Sequence, residues 1–131
     1  MLQLSKATDY ALLFLASLSN RPGHRWSVRE AAEELKISRT FLANIVHQLA
    51  RRNIIVTSKG SGGGVELRRK PRGITLRDVI EVFEGPLSFV DCDGCGPERS
   101  DSCSMHTYWD DLRIKMVESF TKTTIEDIGG N

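Results

Sequence analysis

The chain owns three cysteines, Cys92, Cys95 and Cys103, and all of them fall in the stretch VDCDGCGPERSDSCSMH, with His106 three positions after the last. Cys-x2-Cys, a seven-residue gap and Cys-x2-His offer soft thiolates and one imidazole, enough for a closed four-ligand site. By spacing alone structural zinc is the economical occupant, since Cys3His sets with two-residue gaps are common zinc sites. An iron–sulfur cluster is the alternative, because thiolates hold such clusters and histidine can replace some of them. Redox cysteines without a metal are a third reading. An odd count cannot pair fully within one chain, and a tight trio of thiols fits a reducing, cytoplasmic setting. Asp91, Asp93, Glu98 and Asp101 keep this loop solvated and repel other polyanions.

A chain of 131 residues holds one compact core, with room for an appendage but not for a second ordinary domain. Apolar content of 40% and charged content of 27% describe an ordinary globular protein. No apolar run approaches the roughly 18 residues of a membrane span. YALLFLASLS resembles the apolar part of a leader, but Lys6 and Asp9 precede it without a basic cluster, so a buried amphipathic helix is expected. The net charge of +1 conceals an asymmetry. Residues 1–72 hold 13 Lys and Arg against 5 Asp and Glu, giving +8, and the remainder holds 5 against 12, giving −7. The first part suits a polyanionic partner.

Helical periodicity and punctuation supply the elements. A first helix is expected over Leu4 to Ser19, stopped by Arg21-Pro22-Gly23. Ser27-Val28-Arg29-Glu30 has the form of a capping box and starts a short second helix reaching Leu35. Ser38 caps a third, in which Leu42, Ile45 and Leu49 turn inward while Thr40, Asn44, His47 and Arg51 share the opposite face. Ile54 to Lys59 and Val65 to Arg69 read as strands joined by the glycine-rich tip Gly60 to Gly64. That tip lacks the Lys-Ser or Lys-Thr and following helix of a nucleotide-binding loop. A fourth helix spans Thr75 to Glu84, with Asp78 completing its cap and Gly85-Pro86 ending it. A long last helix runs from Ser104 to Phe120. Its Met105, Trp109, Leu112, Met116 and Phe120 form a seam expected to meet the same helix of a second subunit.

Three helices followed by a hairpin give a mainly α fold with a small β-hairpin, the winged helix-turn-helix, carrying a long C-terminal dimerisation helix. Residues 1–85 form its DNA-binding domain, and 86–131 the cysteine loop and dimerisation helix, the two making one compact unit. In this arrangement the third helix enters the major groove of a double-stranded operator and the hairpin tip reaches the backbone or minor groove. Ser38, Arg39, Thr40, Asn44, His47 and Arg51 supply donors on the helix, and Lys59, Gly60, Ser61 and Gly62 supply the wing. Position 43 is alanine, which removes one opportunity for base reading. A thioredoxin-like oxidoreductase is disfavoured because no strand-helix-strand unit accompanies the Cys-x-x-Cys pair. A zinc-stabilised interaction module that does not bind DNA is the remaining rival.

These residues resemble the iron–sulfur winged-helix regulators of the IscR and NsrR group, the Rrf-two family. The resemblance covers nearly the whole chain: LSKATDYAL, ISRTFLANIVHQLARRNII, the wing KGSGGGVELRRKP followed by ITLRDVIEVFEGP, the cysteine loop and the closing TTIEDI. It implies a homodimer with crossing C-terminal helices, and a cluster held by Cys92, Cys95 and Cys103, which puts iron–sulfur ahead of zinc. Two candidates complete the ligand set. Cys-x2-His followed by Trp109 resembles the 2Fe-2S branch, in which His106 would be the fourth ligand. Asp9 in TDYAL resembles the acidic ligand that a partner subunit supplies in nitric-oxide-sensing 4Fe-4S relatives. The expectation is a 2Fe-2S site completed by His106.

Overall fold

The computed structural model describes residues 4–21, 23, 25–59, 64–86 and 104–129, the side chains of the last segment from residue 107 onward. Helix α1 spans Lys6–Ser19, β1 Arg25–Trp26, α2 Val28–Leu35 and α3 Arg39–Arg51. Strands β2 (Ile55–Ser58) and β3 (Gly64–Leu67) follow, then a 3-10 turn at Pro71–Gly73 and helices α4 (Leu76–Glu84), α5 (Ser104–Lys122) and α6 (Ile125–Gly129).

The helix starts follow the capping chemistry of the sequence. Helix α1 begins at Lys6 instead of Leu4, because the Ser5 side chain takes the cap position and accepts from the Thr8 amide at 3.3 Å. Ser27 accepts from the Glu30 amide at 3.1 Å and Thr75 from the Asp78 amide at 3.1 Å. The Asp78 carboxylate returns the bond to the Thr75 amide, also at 3.1 Å, completing a capping box.

Two parts of the architecture go beyond the sequence reading. The sheet has three strands in the order β1-β3-β2, all antiparallel, where a two-stranded hairpin was expected. Arg25 pairs with Glu66 and Trp26 with Val65, but two residues are too few to show an alternating pattern. The second addition is α6, which folds back on α1 and buries Ile125 completely.

One core is shared by α1, α2, α3, α4, α6 and the sheet. Phe14, Leu15 and Leu18 of α1, Leu42, Ile45 and Leu49 of α3, Ile54, Ile55, Val65, Val79 and Ile125 are all buried within it. Phe14 stacks on Trp26 with ring centroids 5.7 Å apart, and the Arg21 guanidinium lies 4.2 Å over that Trp26 ring. At the root of the wing Gly64 passes close to Trp26; a Cβ there would stand 3.0 Å from the Trp26 carbonyl oxygen. Helix α5 packs against α4. Its Trp109, Leu112, Met116 and Phe120 are only half-buried, and Tyr108 and Ile114 are 57% and 44% exposed. Among the described residues no helix is long and apolar enough to cross a membrane.

Candidate nucleic-acid interface

Between α2 and α3 the chain turns within Lys36, Ile37 and Ser38. Lys36 adopts a left-handed conformation (φ 58°, ψ 44°) that ends α2, and the Ile37 amide donates back to the Ala32 carbonyl at 3.1 Å. Ser38 then starts α3, its hydroxyl accepting from the Phe41 amide at 3.0 Å. The tight turn holds α3 across α2, and Tyr10 of α1 braces it through an edge-on contact with Phe41 at 5.8 Å.

Held in this way, α3 buries Leu42, Ile45 and Leu49 and turns Arg39, Thr40, Asn44, His47 and Arg51 to solvent. None of these five side chains has a hydrogen-bond or ion-pair partner among the described residues. They form a row of uncommitted donors on a rigid helix, the arrangement that reads base edges and grips phosphate. Ser38 is exposed too, with one lone pair already occupied by its cap. Lys59, at the end of β2, is exposed and likewise unpaired among the described residues. Gly60, Ser61 and Gly62 lie outside the described residues.

Cys92, Cys95 and Cys103 also lie outside them. The backbone of His106 is in the first turn of α5, and its side chain is outside them. Among the described residues no group of three or more His, Cys, Asp or Glu gathers to hold a metal. What the structure defines is the frame of the loop. It leaves from Glu84, and the Glu84 carboxylate accepts from the Ser5 amide at 2.8 Å and the Thr8 hydroxyl at 2.7 Å. The Ser5 amide bond, then those from the Thr8 and Ser5 side chains, hold the Glu84 carboxyl below its ordinary value. Asp9, beside Thr8 in the first turn of α1, is exposed. Sequence reasoning missed Ser5, Thr8 and Glu84 because the pairing spans 76 residues and leaves no local pattern.

The model of the Rrf2 family, described as an iron-dependent transcriptional regulator, matches residues 4–131. This chain belongs to the Rrf2 family. A protein of Aquifex aeolicus named as an HTH-type transcriptional regulator is 33% identical over 128 residues, 95% of this chain and 89% of that one. NsrR of Shouchella clausii, also an HTH-type transcriptional regulator, is 35% identical over 70% of this chain and 62% of its own length. Among solved structures, CymR, the global cysteine regulator of B. subtilis, is 28% identical with a TM-score of 0.82, covering 98% of this chain and 97% of that one. This Rrf2 chain is a transcriptional regulator, and its relatives are not enzymes. The winged-helix fold read from the sequence is that of its structural neighbours, with a third strand added to the hairpin.

Proposed function

We propose that this chain is a homodimeric regulator that binds a specific double-stranded operator and whose operator affinity is set by an iron–sulfur cluster. The observation that supports DNA reading most directly is the α3 surface, where Arg39, Thr40, Asn44, His47 and Arg51 stand exposed and unpaired on a helix capped by Ser38. Lys59, Gly60, Ser61 and Gly62 form the wing contact. Residues 1–85 carry this function, while 86–131 carry the cysteine loop and the dimer helix. The shared burial of Ile125 with α1 supports treating both as one compact unit. An operator with two half-sites requires two recognition helices, hence a dimer.

The donor set fits the cofactor. Three thiolates with an imidazole suit iron–sulfur chemistry, and Cys92, Cys95, Cys103 and His106 would hold a 2Fe-2S cluster, which supplies sensitivity to oxygen, nitric oxide or iron supply. Asp9 is the alternative fourth ligand for a 4Fe-4S cluster. The cluster controls binding only so far as the protein holds it with different affinity in two arrangements of its recognition helices.

Anaerobic purification followed by a visible spectrum with iron and sulfide analysis tests this reading. Brown protein with both elements supports the cluster; colourless protein with stoichiometric zinc supports a structural metal. A second reading is a winged-helix regulator that responds through its cysteines without a cluster, because Cys92, Cys95 and Cys103 are themselves oxidisable thiols. Colourless, metal-free protein whose operator affinity changes on thiol oxidation would establish it.

A further inference from the structure

At the C-terminal end of α3 a cavity of about 190 Å³ opens between this helix and α4, lined by Gln48, Arg51, Arg52 and Val82. A second cavity, of about 140 Å³, shares Arg52 and Val82 in its lining. Two carboxylates reach this second cavity, and both are engaged: Asp78 faces Arg69 at 3.4 Å and Glu81 faces Arg77 at 3.0 Å. Arg51 and Arg52 have no carboxylate partner among the described residues. The groove therefore presents two free guanidinium groups beside acids that are already neutralised.

We infer that this groove is a phosphate-binding site, in which Arg51 and Arg52 clamp one phosphate group and Gln48 donates a further hydrogen bond. A guanidinium fork matches phosphate oxygens two at a time, which an ammonium cannot do. The partial negative charge at the C-terminal end of α3, about half an elementary charge, opposes an anion and is outweighed by two full positive charges. Placement on the helix supports the choice of ligand. Arg51 lies seven residues after Asn44 and so shares the exposed reading face, whereas Gln48 and Arg52, four apart, line the flank toward Val82. A helix seated in a major groove has a sugar-phosphate strand running along such a flank. The phosphate comes from that strand or from a phosphate ester free in solution, and only the first source rests on the DNA-binding reading above.

The test uses the full chain with Arg52→Ala and Arg52→Lys. Binding to operator and to random duplex is measured across a salt series, and the arginine Nε–H signals of the DNA-free protein are followed during titration with inorganic phosphate, against chloride at equal ionic strength. If the phosphate belongs to DNA, Arg52→Ala weakens both duplexes equally, by roughly eightfold at about 0.1 M salt, and lowers the salt slope by about one contact. Arg52→Lys recovers the slope but only part of the affinity. If the phosphate is free, DNA binding is unchanged and inorganic phosphate shifts the Arg52 signal saturably where chloride does not. Unchanged DNA binding together with equal responses to phosphate and chloride overturns the site. A chain that binds no DNA would sink the operator reading, and the inorganic phosphate titration would then decide this one.

Discussion

Glu84 and Thr8 join the end of α4 to the first turn of α1. The Thr8 hydroxyl donates to the Glu84 carboxylate at 2.7 Å, the same oxygen accepts from the Ser5 amide at 2.8 Å, and Thr8 is fully buried. The joint anchors the point from which the cysteine loop departs, and it prefers a charged carboxylate. Because these hydrogen bonds lower the folded carboxyl below its ordinary value of 4.5, their contribution is fully present above that pH and is lost as pH falls through the folded value. Glu84→Gln keeps an acceptor but no charge. It should melt below wild type at neutral pH, and the gap should close as the pH drops below 4.5. A gap that stays constant from pH 6 to pH 3 would detach the joint from the Glu84 charge.

The end of the chain depends on close backbone approach. A Cβ added at Gly129 would stand 2.7 Å from the Ser19 hydroxyl and 2.8 Å from the Ala16 carbonyl, and the Gly129 carbonyl accepts from the Asn20 side chain. Gly129→Ala should therefore push α6 from α1 and loosen Ile125, costing about 1–3 kcal/mol in urea denaturation. Unchanged stability would show that α6 shifts without strain.

Legibility in the sequence followed the range of the interaction. Ser27, Ser38 and Thr75 announce helix starts because a cap acts within three residues, and Leu42, Ile45 and Leu49 announce a buried face because helical spacing is local. Arg25–Trp26 gave no such signal, since its strand character comes from pairing with β3 about forty residues on. The Glu84–Thr8 joint and the groove at Arg52 are hidden for the same reason: each is made by segments that meet only once the chain has folded. The exposed polar face of α3 was legible because one helix carries all of it.

Base reading and backbone contact should separate by mutation. Asn44 is exposed at the centre of the α3 face, so Asn44→Ala should cost roughly 1–3 kcal/mol on the operator and little on random DNA. Lys59→Ala should weaken both and flatten the salt dependence by about one phosphate contact. Equal losses on both duplexes for Asn44→Ala would remove its base-reading role.

The half-buried seam of α5 should be a subunit interface. Trp109, Leu112, Met116 and Phe120 remain partly open although α5 already packs on α4. Replacing Leu112 and Met116 with glutamate would bury unpaired charge in that interface, at a cost of several kcal/mol. Sedimentation should show monomers, with operator affinity lost in parallel. A double variant that stays dimeric would place the seam within one subunit.

The last expectation concerns the ligand that completes the cysteine set. Helix α5 begins at Ser104, so Cys103 immediately precedes it in sequence and His106 falls in its first turn. A helix N-terminus carries a partial positive charge that favours thiolate, the form of Cys103 that binds metal. Asp9 is exposed on α1, so within a dimer it could reach a partner's loop. If His106 is the fourth ligand of a 2Fe-2S cluster, His106→Ala should shift the visible spectrum and shorten the cluster's lifetime in air, while Asp9→Ala leaves both nearly unchanged. The reverse pattern, an intact spectrum without His106 and a labile cluster without Asp9, would assign the fourth position to the acid and the chain to the 4Fe-4S branch. Asp9→Ala should keep the wild-type helical signal, because Asp9 is exposed on α1.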